Sequence, residues 1–154
     1  MAEMSPYNQQ QKDAILMVRQ HLSHLADTEL RRLKQRIRSY LAFREAVASF
    51  QKTHFANLCL EKCFTSHTSA CCGREGIITF FADVVVNVLL STQEEIEVLL
   101  DILDADEGGL NCVYLNNTGC LWRSKPIVCE MFLCEHAKNL VLDNNKALKS
   151  QWET

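Results

Sequence analysis

Residues 112 to 134 run Cys112-Val-Tyr-Leu-Asn-Asn-Thr-Gly-Cys120-Leu-Trp-Arg-Ser-Lys-Pro126-Ile-Val-Cys129-Glu-Met-Phe-Leu-Cys134, and most of what can be inferred about this chain follows from them. Asn-Asn-Thr-Gly is turn chemistry set between two short apolar runs. It predicts a short β-hairpin with Cys112 and Cys120 on its two arms. Pairing of the arms brings those two thiols near each other. Ser124 and Pro126 then read as a helix start, because proline fits the first turn, where its missing N–H is no loss. That helix carries Cys129, Phe132 and Leu133, continues towards Leu142, and presents Cys129 on the side facing the hairpin.

Upstream lies the first of two cysteine blocks, Cys59-x3-Cys63-x7-Cys71-Cys72, separated from the second, at 112–134, by 39 residues. If the segment leading into it is helical, Cys59 and Cys63 stand one turn apart on one face. Neighbouring side chains diverge in a helix or strand. The vicinal Cys71 and Cys72 therefore serve two metals, or two irons of one cluster, more easily than one zinc ion. Zinc takes thiolate or imidazole ligands tetrahedrally, and a [4Fe–4S] cluster takes four thiolates over a larger span. All eight cysteines, Cys59, Cys63, Cys71, Cys72, Cys112, Cys120, Cys129 and Cys134, are thus candidate metal ligands. Cysteine is also a common small core residue, a role that members such as Cys59 or Cys134 would fit.

A chain of 154 residues, 47% hydrophobic, can bury one core without covalent staples and reads as a single domain over 1–154. No basic leader followed by an apolar run opens the sequence, so a secretory signal is not expected. No apolar stretch reaches the roughly 18 to 20 residues of a membrane span. The best candidate, Ile77 to Leu90, is interrupted by Asp83 and Asn87. The expectation is a cytoplasmic protein with no membrane partner and with reduced thiols, since a disulfide framework would need an oxidising compartment. The net charge of −3 hides an asymmetry: residues 1–58 hold nine Lys/Arg against five Asp/Glu, and residues 59–154 seven against fourteen. Every cysteine lies in the acidic part.

The fold class expected is mainly α, with an N-terminal helical hairpin over 1–52 packed on a cysteine-rich metal-binding half over 53–142 that contains the short β-hairpin. Ser5-Pro6 caps the first helix, with Ile15, Leu16, Val18, Leu22 and Leu25 at helical spacing to near Ala26. Asp27 or Thr28 caps the second, whose stripe is Leu30, Leu33, Ile37, Leu41, Val47 and Phe50. Ile77 to Leu90 suits a buried helix, although Val84, Val85, Val86 and Val88 also suit a strand. Ser91-x-x-Glu94 reads as a capping box before a helix with Ile96, Leu99, Leu100 and Leu103 inward. Residues 143–154 read as a polar tail that frays.

Taken with Cys71-Cys72-Gly73, Ile77-Ile-Thr and Asp83, the 112–129 block resembles the YkgJ-like cysteine-cluster family over residues 55–136. Hairpin cysteines, a proline three residues before a cysteine and an aromatic after it agree together. The resemblance implies a domain that chelates zinc or iron, with Cys72, Cys112, Cys120 and Cys129 the best-matched ligands. The seven residues between Cys63 and Cys71 depart from the family's tighter first block, and Lys125 stands where it often has arginine. The flagellin lysine methylase is similar to the same family, which implies an iron–sulfur redox or methyltransferase-like alternative. That enzyme is considerably larger than this chain.

His54, His67 and His136 lie near cysteines but read as surface or hydrogen-bonded residues, because eight thiols already suffice. His21 and His24, on the first helix, read as structural or solvent-facing. Arg31, Arg32, Lys34, Arg36, Arg38 and Arg44 take the outward positions of the second helix. They form a solvated face or, over residues 28–44, a docking face for a protein partner. With no interleaved aromatics this run argues against nucleic acid, and a nucleic-acid-associated zinc module is the weaker alternative. Asp104-x-Asp106 followed by Gly108-Gly109 lacks the later oxygen ligands of a calcium loop and reads as a turn. No phosphate loop, dinucleotide-binding glycine pattern or Gly-x-Ser-x-Gly elbow occurs, so no catalytic motif is identified.

Overall fold

In the computed structural model, which describes residues 4–59, 77–105, 111–116 and 119–154, the chain is mainly helical, as its periodicity predicts. Helix α1 spans Pro6–Ser23 and starts as the sequence suggests: the Ser5 hydroxyl accepts the Asn8 N–H at 3.1 Å, and Pro6 fills the first turn. Its buried Ile15 and Val18 face α5 (Phe81–Leu90) and α6 (Gln93–Ala105).

This packing differs from the expected N-terminal hairpin. The second helical segment breaks at Ile37 into α2 (Asp27–Arg36) and α3 (Arg38–His54), and α1 gives its apolar face to α5 and α6. The cause is the apolar area each offers. Val84, Val88, Ile96, Leu99, Leu100 and Leu103 form one cluster with α1, whereas α2 buries no residue at all. The inward face expected of α6 is the one observed.

The valine-rich run is a helix, but it opens at Phe81 because Asp83 Oδ2 accepts the Phe80 N–H at 3.0 Å and closes the N-terminus there. The cap of α6 falls one residue later than expected. Thr92 Oγ1 accepts the Glu95 N–H at 3.3 Å, and the Thr92 N–H donates to Glu95 Oε2 at 2.8 Å. Ser91 instead ends α5, with its hydroxyl buried and unpartnered among the described residues. Thr92→Ala is expected to cost about 1 kcal/mol, while Ser91→Ala, which deletes an orphaned hydroxyl, costs nothing or stabilises slightly. Urea titration of both variants checks the assignment, and the opposite order would refute it.

The β-hairpin is present and shorter than its flanking apolar runs. Strands β1 (Leu115–Asn116) and β2 (Gly119–Cys120) are antiparallel, with Leu115 opposite Cys120. Cys112 lies before β1, in a turn closed by the Leu115 N–H donating to its carbonyl at 3.0 Å. The helix expected from Ser124 to Leu142 is broken. Helix α7 covers Ile127–Met131, Phe132 is extended, α8 covers Glu135–Ala137, and a π-helical turn covers Lys138–Leu142.

The expected polar tail forms a helix, α9 (Lys146–Glu153), capped by Asn145 Oδ1, which accepts the Ala147 and Leu148 N–H groups at 3.2 and 3.1 Å. Only Leu148 and Trp152, four apart, mark its inner face in sequence. They suffice because Phe50 meets Trp152 at a ring distance of 5.5 Å. Both join a second, smaller core around Phe55, Leu133, Ala137 and Leu142. Among the described residues no helix is long and apolar enough to cross a membrane.

Candidate metal centre

Cys63, Cys71 and Cys72 lie outside the described residues, as do the Cys59 side chain at the end of α4 (Ala56–Cys59), His67, and Asp106 to Gly109 of the acidic turn. The four cysteines of the second block are all half-buried. Cys112 and Cys120 pack on the larger core beside Tyr7 and Tyr114. Cys129, on α7, has its Sγ 3.9 Å from the Ile78 carbonyl oxygen, next to Thr79. Cys134 is elsewhere: it precedes α8 and packs on the smaller core with Phe55 and Leu133, which favours the core role over ligation. Among the described residues, no group of three His, Cys, Asp or Glu side chains is arranged to hold a metal ion. Cys112, Cys120 and Cys129 therefore do not make a closed ligand set by themselves.

The surroundings of these three sulfurs hold something the sequence did not flag. The hydroxyls of Tyr7, Thr79 and Tyr114 are buried and have no hydrogen-bond partner among the described residues. Tyr114 is 1% exposed and stacks edge-on against Trp122 at 5.3 Å. Burial pushes the Tyr7 phenol up to about 12; the nearby Thr79 and Tyr114 hydroxyls ease the shift without reaching hydrogen-bond geometry, and Cys112 and Cys129 add to it. Burial likewise holds Tyr114 far above the ordinary phenol range, helped by Tyr7, Cys112 and Cys120. Both side chains thus remain O–H donors near sulfur atoms. The spacing Cys112-x-Tyr114 could have suggested one of them; Tyr7, on a distant helix, leaves no local signal.

The segment that carries Cys129 is fixed by polar groups buried in α5 and α3. Asp83 Oδ1 accepts the Ile127 N–H at 3.0 Å, at the start of α7, and Asn87 Oδ1 accepts the Ser124 N–H at 3.1 Å. In sequence these two residues only interrupted an apolar run. From α3, the Arg44 guanidinium donates from Nε to Glu130 Oε2 at 2.9 Å, from Nη1 to the Tyr40 hydroxyl at 2.7 Å, and from Nη2 to Glu130 and to the Lys125 carbonyl. Gln51 donates to the Glu130 carbonyl. Burial opposes the Arg44 charge, but the bonds to Glu130 and Tyr40 outweigh it, so its pKa is raised.

Arg44 therefore leaves the solvated face to which its neighbours belong. It is 5% exposed, whereas Arg31, Arg32, Lys34, Arg36 and Arg38 are all exposed as expected. His21, His24 and His136 are exposed too, and His54 packs its ring on Phe50 at 4.6 Å.

The donor chemistry fits a thiolate-held metal. Cys112 and Cys120 pack on the larger core and Cys129 lies against the Ile78 carbonyl, so soft sulfur atoms are present near hydroxyls that have no partner among the described residues. Cys72 and the other first-block cysteines are the sequence candidates for completing such a set. No family model, no curated protein and no solved structure matches the chain.

Proposed function

We propose that this protein binds zinc or an iron–sulfur cluster through its clustered cysteines, in a reducing compartment such as the cytoplasm. The observation that carries the reading is the placement of Cys112, Cys120 and Cys129 near three buried hydroxyls that have no acceptor among the described residues. The resemblance of the 112–129 block to the YkgJ-like cysteine-cluster family supports it from the sequence side. Cys134, in the smaller core, is the second-block cysteine least suited to ligation. If the metal is zinc, full thiolate coordination leaves no open position for water, and the role is structural.

The test is purification of the full chain without oxygen, followed by metal and acid-labile sulfide analysis. A brown protein with sulfide marks a cluster, and a colourless one with stoichiometric zinc marks a zinc site. Cys120→Ser and Cys129→Ser should each lose most of the metal, Cys134→Ser should keep it, and a chelator should lower the melting temperature of the parent, because binding energy is folding energy in such sites. A parent without metal, or full metal content in Cys120→Ser and Cys129→Ser, would overturn the proposal.

A further inference from the structure

We infer that the hydroxyls of Tyr7, Thr79 and Tyr114 donate hydrogen bonds to the sulfur atoms of the metal centre, forming an outer layer that sets how tightly the metal is held. The inference rests on the metal-binding reading above. It begins from a cost. A buried hydroxyl left without a partner forfeits its solvation with nothing in return, and native folds keep few such groups. Here three from different parts of the chain, α1, the 77–80 segment and the turn before β1, lack a partner among the described residues, and Thr79 and Tyr114 both lie close to Tyr7.

Their surroundings hold sulfur. Tyr7, Cys112 and Cys120 pack on the same core as Tyr114, and Cys129 Sγ approaches the carbonyl of Ile78, the residue before Thr79. A neutral thiol is a weak acceptor, so the hydroxyls gain little from protonated cysteines. A metal keeps its cysteine ligands deprotonated, and thiolate or bridging sulfide is an acceptor that a phenol or hydroxyl can satisfy. A phenol is protonated at neutral pH, as a donor must be. Loading the metal would thus supply the missing partners, and part of the binding free energy would come from ending their isolation.

Such outer donors govern affinity by factors of about 10–100 in characterised metal sites. In an iron–sulfur centre, hydrogen bonds to sulfur also raise the reduction potential, since they stabilise the more negative reduced state.

The experiment compares parent, Tyr7→Phe, Tyr114→Phe and the double variant, each as the full chain, in metal-free and loaded form. In the metal-free protein the double variant should be as stable to urea as the parent or more so, because the substitution keeps both rings and deletes only orphaned hydroxyls. In the loaded protein it should hold zinc(II) about 10-fold or more weakly in competition with a chromophoric chelator. If ferrous iron and sulfide reconstitute a cluster, its midpoint potential should fall. Unchanged affinity and potential in the double variant overturn the inference and leave the metal-binding reading standing. A metal-free double variant markedly less stable than its parent also overturns it, since the hydroxyls would then be serving the fold. A parent that binds neither zinc nor a cluster removes both.

Discussion

Replacing Arg44 by methionine is expected to remove about 3–5 kcal/mol of stability, the range for breaking a buried ion pair by deleting one partner. Methionine keeps most of the length of the side chain, so the loss is electrostatic rather than a cavity. Glu130 and Asp83 are 5% and 4% exposed, and among the described residues Arg44 is the cation beside both, donating to Glu130 and standing 3.9 Å from Asp83. Without it, two carboxylates remain buried together. The Lys125 carbonyl and Tyr40 hydroxyl also lose their donor. The adjoining cleft of about 820 Å³, lined by Gln51, Phe55, Trp122 and Lys125 as well as the pair, lets water approach and places the loss towards the lower end. Adding Glu130→Leu to Arg44→Met should recover part of it, because an apolar pair has no charge to desolvate. Urea denaturation measures both. A single variant within about 0.5 kcal/mol of the parent would mean the pair behaves like a surface ion pair, and the assignment of Arg44 as the clamp on α7 would be wrong.

Much of the larger core was readable in advance because it depends on local pattern. Ser5-Pro6 opens α1, Ile96, Leu99, Leu100 and Leu103 face inward on α6, and Asn-Asn-Thr-Gly turns the hairpin. What escaped depends on partners far away in sequence. Arg44 falls in register with Leu41 and Val47, a buried position by spacing, yet a charge is read as exposed unless its partner is known. That partner, Glu130, lies on α7. Asp83 and Asn87, four apart on an apolar helix, had the same hidden meaning: a polar pair on a buried face must be satisfying something. The N-terminal hairpin failed for a related reason, since periodicity shows that α1 has an apolar face but not which other face covers it. At the candidate site the sulfur atoms were legible as a count and a spacing. The phenols were less so: Tyr7, on an apolar helix face, looks like core, and only the spacing Cys112-x-Tyr114 hinted at the other.

Asp83→Ala is expected to cost about 3 kcal/mol and to lower metal content with it, since two backbone N–H groups would each lose their acceptor at roughly 1–3 kcal/mol apiece. One is Phe80, at the start of α5; the other is Ile127, at the start of α7. A single carboxylate thus fixes both the helix that packs on α1 and the short helix that carries Cys129. Asp83→Asn separates these roles from simple size. Its amide has one oxygen and therefore accepts from only one of the two N–H groups, while its NH₂ faces the other donor. It should recover no more than about half of the loss. Hydrogen exchange at Phe80 and Ile127 reports which contact survives in each variant, and zinc or iron content reports whether Cys129 stays in place. If Asp83→Ala loses the stability but binds metal as tightly as the parent, anchoring of α7 is a matter of folding alone. Cys129 would then have to be positioned by the centre itself, with the metal organising its ligand rather than meeting a ligand already set.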